Sequence, residues 1–345
     1  MNRNRFAMTL LAGTAVFALA GCGTTAGDGG GDATGGGDAA AEGAYVTVVK
    51  ATGIGWFDRM EVGVDEWAAE TGIDARQEGP AEATNEGQVD IIQNLIAQSP
   101  LAITVVPNDV AGLATVLGEA RDKGIIVVSH EAAGIDNVDI DIEAFENKAY
   151  GSQIMDNLAQ CMDEEGGYVQ FVGRLTNGSH SEWVQGAEEN QTANFSEMTR
   201  LEDPIESEED EEVAYNKAKE LLAKYPDIKG FQGSAGTDVV GIARAVEEAG
   251  KSDTVCVMGT SIPSVAESYL ASGAIDKIFF WDPALAGKAQ LQIAQILLDG
   301  ETIEEGTDLG IPGYESLVKL DGYDNVFAGD AGVAVDADNV DEYDF

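Results

Sequence analysis

From Ala44 onward, short apolar runs bounded by turn residues alternate with longer stretches whose apolar residues recur at helical spacing. This βαβ rhythm restricts the chain to α/β folds with parallel sheets, because each parallel pair needs a crossover long enough to hold a helix. Strands are expected at Tyr45 to Val49, Ala102 to Val106, Ile125 to Ser129, Tyr168 to Val172, Gly230 to Gln232, Val255 to Met258 and Ile278 to Phe280. Helical patterns run over Arg59 to Glu70, Gly87 to Gln98, Val110 to Lys123, Lys148 to Met162 and Ser181 to Phe195. Four more cover Glu212 to Tyr225, Thr237 to Ala249, Ser264 to Ser272 and Ala284 to Asp299. Asp58 and the pair Asn108 and Asp109 read as helix caps, and Pro263 as a first-turn proline.

Roughly 300 residues carrying two sets of such units exceed one core, so two Rossmann-like, doubly wound parallel-sheet lobes are expected. The first set ends near Ile140, and "NVDIDIEAFENKAYG" reads as an extended crossing into the next. The tail from Thr302, with "SLVKL" and "GVAVDADNV", reads as a return across both. The N-terminal lobe is then 44–140 plus 283–300, and the C-terminal lobe 141–282 plus part of 301–345.

The first 22 residues, MNRNRFAMTLLAGTAVFALAGC, have a basic start, an apolar run too short to span a bilayer, and small residues ending at Cys22. Leu19-Ala20-Gly21-Cys22 resembles a bacterial lipoprotein box, in which residues 1–21 are removed and the Cys22 thiol is lipidated. Acyl chains, at about 0.8 kcal/mol per buried CH₂, would hold the chain on the outer face of the cytoplasmic membrane. Gly, Ala, Thr and acidic residues dominate 23–43, which reads as a flexible tether.

The chain carries 62 acidic residues against 19 basic ones. Without Arg3 and Arg5 the balance of 17 against 62 gives −45. Nucleic acid is excluded as a partner, since phosphate binding needs clustered Lys and Arg. The acidity fits a high-salt habitat or an ordinary acidic extracytoplasmic protein. The block "EDPIESEEDEE" reads as a solvated loop without function. Cys161 and Cys256 sit in apolar surroundings and read as buried free thiols in preference to a disulfide.

Ligands of open parallel sheets sit beyond the carboxyl ends of the strands. Lys50, Trp56 and Phe57 follow the first expected strand, and His130 and Glu131 the third. Arg174, Asn177, Ser179 and His180 follow the fourth, with Trp183 nearby. Later ends carry Ser234, Gly236 and Asp238, then Thr260 and Ser261, then Trp281 and Asp282. Aromatics placed where a core should not reach suggest flat apolar walls, and flanking carboxylates and donors suggest a hydroxyl-rich ligand such as a sugar. Trp183 reads equally as core, and Asp282 also as a helix cap. His130 with Glu131 could form a hinge pair or, with His180, a metal set, although no metal or other cofactor is expected. Glu131 and Asp282 could in principle be a glycosidase pair, but no nucleophile and base accompany them.

"VTVVKATGIGWFDRM", "GPAEATNEGQVDIIQNLIAQSPLAITVVPND", "GIIVVSHEA", "FFWDPALAGK" and the closing "YDF" resemble the type I periplasmic sugar-binding proteins, in the branch of autoinducer-2-binding and rhamnose-binding proteins. The resemblance covers nearly all of 44–345. It implies two lobes joined by a three-segment hinge, a ligand enclosed between them for an ABC permease, and no enzymatic activity. Lys50 matches the family's binding lysine, and Glu131 falls where autoinducer-2 binders have aspartate. Their Asp-Gln pair falls near Ser179 and His180, and their Pro and Ala at Ser234 and Gly236. These are departures from the autoinducer-2 pattern on which neither architecture nor transport depends. The expected protein is a monomeric, membrane-anchored solute receptor for a monosaccharide or autoinducer-2-like polyol. The alternative is a sugar or autoinducer-2 receptor for signalling or chemotaxis.

Overall fold

A computed structural model describes residues 43–345, so the leader, Cys22 and the tether up to residue 42 lie outside the described residues. The first lobe begins β1 (Tyr45–Val48), α1 (Gly55–Thr71), β2 (Ala75–Glu78), α2 (Asn85–Gln98), β3 (Ala102–Val105), α3 (Val110–Asp122), β4 (Ile126–His130) and β5 (Ile140–Glu143). The second comprises α4 (Asn147–Cys161), β6 (Glu165–Val172), α5 (Gly178–Asn194), β7 (Glu197–Arg200), β8 (Ile205–Glu206) and α6 (Glu211–Lys224). It continues with β9 (Gly230–Gly233), α7 (Asp238–Glu248), β10 (Cys256–Thr260), α8 (Pro263–Ser272) and β11 (Lys277–Phe280). The chain then runs through α9 (Pro283–Leu298), β12 (Val318–Lys319), β13 (Val326–Ala328) and β14 (Val333–Val335).

One sheet has the order β12-β13-β5-β4-β3-β1-β2, the other β14-β11-β10-β9-β6-β7, with β8 also on β6. The central pairings are parallel, and antiparallel pairs occur at the edges, β12 on β13 and β14 on β11. The chain passes between sheets after β5, after β11, where α9 returns to pack on α1 and β4, and between β13 and β14. The stretch expected as a simple crossing therefore first supplies β5, whose Ile140 and Ile142 are buried against the first-lobe core.

Every central strand is buried on both faces, which is why its sequence is a near-continuous apolar run. β2 and β7 are short edge strands, "ARQE" and "EMTR", without such a run, and periodicity missed them. α1 starts a turn earlier than expected, capped at Ile54, because Trp56 and Phe57 bury themselves. Asp58 then lies in the first turn, where its charge favours the helix dipole without capping. Asp109 caps α3 and Pro263 opens α8 as expected.

α4 and α5 pack backbone to backbone. A Cβ on Gly151 would fall 1.8 Å from the Trp183 carbonyl oxygen, and one on Gly186 would fall 2.2 Å from that of Lys148. Cys161, closing α4, forms a disulfide with Cys256 at the start of β10, their Cα atoms 6.1 Å apart. This corrects the free-thiol reading: apolar flanks describe both states, and only the docking of α4 on β10 makes the sulfurs neighbours. Among the described residues no helix is long and apolar enough to cross a membrane.

Candidate functional site

The two sheets point the carboxyl ends of their strands at one narrow cavity of about 20 Å³. First-lobe wall residues are Lys50, two residues past β1, Ile54, Trp56 and Phe57 at the head of α1, and Glu131, directly after β4. Second-lobe wall residues include His180 and Trp183 in α5, Ser234 and Gly236 after β9, and Thr260 ending β10. Trp281, after β11, and Glu209, in the loop before α6, complete the wall. The head of α1 belongs to the same apolar cluster as the second-lobe core, so the lobes are closed on each other. Polar ties across the closure include Arg174 Nε donating to the Ala83 carbonyl at 2.9 Å and Ser179 Oγ donating to Glu143 at 3.2 Å.

Lys50 is the electrostatic centre. Its Nζ donates to Glu131 at 2.7 Å and lies 3.5 Å from Glu209, all three side chains being buried. Burial alone would pull the lysine's pKa down, but the two carboxylates outweigh it and hold it above its ordinary value. Glu209 is pushed up by burial, with Lys50 opposing. Glu131 and Glu209 occupy left-handed backbone, φ 57° and 59°, which costs a non-glycine residue energy and so requires a surrounding structure that imposes it.

The aromatic side is a cluster rather than isolated platforms. Trp56 and Trp281 meet edge to face with centroids 4.6 Å apart, and Trp183 lies 5.7 Å from Trp281. Trp281 Nε1 donates to His130 Nε2 at 3.1 Å, so the His130 proton sits on Nδ1 and is donated to the Ile142 carbonyl at 2.5 Å. With both ring nitrogens engaged, His130 orients Trp281 from behind and is no metal ligand. His180 Nδ1 accepts the Gly173 N–H at 3.1 Å, leaving Nε2 as the donor of a neutral ring. Burial and then Lys50 hold His180 well below its ordinary pKa. The indole N–H of Trp56 and the hydroxyl of Ser234 are buried without partners, which is unmet hydrogen-bonding capacity at the cavity wall.

Nine of the sequence-predicted residues line the cavity, Lys50, Trp56, Phe57, Glu131, His180, Ser234, Gly236, Thr260 and Trp281, and Trp183, which reads equally as core, joins them. Four stand behind it. His130 supports Trp281; Asn177 caps α5 by accepting the His180 N–H; Ser179 bonds Glu143. Asp282 accepts Arg59 Nε and Nη2 at 2.8 and 2.6 Å and the Ala284 N–H at 2.9 Å, so it is the cap of α9 and an ion-pair partner. That engagement removes it from a carboxylate pair with Glu131. Sequence reasoning passed over Glu209, hidden in an acidic run read as solvated. The signal was positional, since the loop between β8 and α6 opens on the same end of the sheet as the other wall loops. Trp281, 1% exposed, is also core, contrary to the expectation that the platform aromatics lie outside it.

Two parallel-sheet lobes closed over a cavity built from strand-end loops define a ligand-enclosing binding protein. A periplasmic binding protein domain matches residues 45–302, and the chain belongs to that family. The D-allose-binding periplasmic protein of Escherichia coli is 26% identical over 262 residues, which is 73% of this chain and 84% of that protein. The structure is similar to LsrB from Clostridium saccharobutylicum in complex with AI-2, with TM-score 0.81 and 21% identity, covering 88% of this chain and 100% of that one. It is also similar to an ABC transporter solute-binding protein from Clostridium phytofermentas with bound L-rhamnose, with TM-score 0.80 and 19% identity over 88% and 98% of the two chains. These likenesses are to the type I periplasmic binding protein fold.

Proposed function

We propose that this chain is a sugar-binding solute receptor of an ABC importer, which encloses a monosaccharide or autoinducer-2-like polyol between its lobes and presents the closed form to a permease. The supporting observation is the cavity, where indole walls face a Lys50–Glu131–Glu209 cluster and unpartnered donors. Sugar C–H faces stack on indole while hydroxyls, each donor and acceptor, satisfy mixed polar groups. With the lobes closed the cavity is narrow, about 20 Å³, so a sugar ring enters only when the lobes part. Relatives named for D-allose and bound to L-rhamnose support the same class. Ligand contact with both lobes stabilises closure by a hinge motion. The receptor works as a monomer, and Cys22 would carry the lipid that tethers it to the cell envelope. We screen by thermal shift across pentoses, hexoses, deoxyhexoses and autoinducer-2. A binder at 100 times Kd stabilises by about 2.7 kcal/mol. Absence of any shift across the panel overturns this reading.

A further inference from the structure

Asp238, the first residue of α7, is fully buried. Its Oδ2 accepts two backbone N–H groups, from Ser234 at 3.0 Å and from Ala235 at 2.8 Å, and its own N–H donates to the Ala235 carbonyl at 2.9 Å. The loop that brings Ser234 and Gly236 to the cavity is thus folded onto this carboxylate. Gly233 provides the room, since a Cβ there would lie 2.7 Å from the Asp238 Cβ. The second oxygen, Oδ1, is buried without a hydrogen bond of ordinary geometry. Ser207 and Glu209, from the loop before α6, face the carboxylate, Glu209 being the charged group among them. Ser207 is itself fixed, its N–H and hydroxyl both donating to the Val172 carbonyl. One carboxylate therefore anchors the loop that carries Ser234 to the cavity.

We propose that Asp238 is a positioning residue for ligand binding, which in its ionised form holds the Ser234–Gly236 loop in place at the cavity wall. The inference rests on reading the cavity as a sugar site. Burial pushes Asp238 up to about 7; Glu209 adds to this, and the two N–H groups oppose it. A protonated carboxyl accepts two N–H groups more weakly than a carboxylate does. Acidification from pH 8 to 6 therefore loosens the loop. If the ionised form is the competent one, about a tenth remains one unit below the pKa, and Kd rises about tenfold.

The test begins without ligand. Hydrogen-exchange mass spectrometry follows the peptide containing Ser234 and Ala235 from pH 8 to 6, corrected for intrinsic rates. Protection is expected to fall on acidification in the wild type. In Asp238→Asn it should stay level, since the amide oxygen still accepts both N–H groups and does not titrate. In Asp238→Ala it should be low throughout. Wild-type protection that ignores pH, or an Asp238→Asn profile that follows the wild type, overturns the inference. Calorimetric titration with a sugar from the screen should then show the tenfold rise in Kd in the wild type and a flat profile in Asp238→Asn. A flat wild-type profile also overturns it. A panel with no binder overturns the sugar reading instead and leaves the exchange result to decide the role of Asp238.

Discussion

Trp281 closes the cavity, stacks in the aromatic cluster and is oriented by His130, so its removal acts twice. Trp281→Ala is expected to abolish measurable sugar binding and to cost the unliganded protein about 3–5 kcal/mol, the usual range for truncating a buried large aromatic. Trp56, whose N–H has no protein partner, is the cleaner probe. Trp56→Ala should weaken binding by one to two orders of magnitude, on the order of 1.5–3 kcal/mol, with a smaller loss of stability than Trp281→Ala. Calorimetric titration beside unliganded melting curves measures both, and normal binding by both variants would remove these rings from the site. Glu131→Gln leaves Lys50 only Glu209, at 3.5 Å, as a charged partner and should destabilise by about 1–3 kcal/mol. His180 supplies a pH prediction. Its folded pKa is depressed by burial, so below the unfolded value near 6.5 the unfolded chain takes up protons that the fold refuses, and stability falls with pH. Asp141, raised to about 6, and Glu143, also raised, act with the opposite sign in the acid range, because burial makes them keep protons the unfolded chain releases. His180→Asn, whose amide oxygen can take the Gly173 N–H, should lose less melting temperature between pH 7 and 5 than the wild type. An equal drop would assign the acid response to other groups.

The disulfide joins the end of α4 to the start of β10 across 95 residues of chain. Closing a loop of that length restricts the unfolded ensemble by about 4–5 kcal/mol in the chain-entropy account. Cys161→Ser with Cys256→Ser should therefore lower the melting temperature well beyond the effect of two conservative substitutions. Native protein should show no titratable thiol at either position, and recovery of both thiols without reductant would contradict the bond. The helix elements were legible to within a residue or two at most ends, because long amphipathic repeats with Asp109 or Pro263 at the start leave little freedom. β2, β7 and β8 were not, since a short edge strand half open to solvent needs neither apolar alternation nor strong β-formers.

Across the whole molecule, net charge is the dominant physical fact. With 62 acidic against 19 basic residues, carboxylate repulsion opposes the compact state and is screened as the Debye length falls to about 3 Å at 1 M salt. The melting temperature should rise steeply with NaCl, and a flat curve would remove the high-salt interpretation without touching the fold. Attachment belongs to the same scale. Cys22→Ser should release the protein from membranes or leave its leader uncut, and unchanged fractionation and processing would sink the lipid anchor.

The sequence alone determined the α/β class, the two sets of units and most of the loops that line the cavity, because apolar runs, helical spacing and strand-end position are local properties. It placed Lys50, Glu131 and Trp281 together only through the rule that parallel strands share one carboxyl end. Tertiary structure decided which of those side chains reach the cavity. Asp282 turned to Arg59, His130 moved behind Trp281, and Glu209 came in from an acidic run that composition marks as surface. Cys161 and Cys256 became partners for the same reason. Partner choice among buried polar groups depends on distances between residues far apart in sequence, and no local pattern encodes those distances.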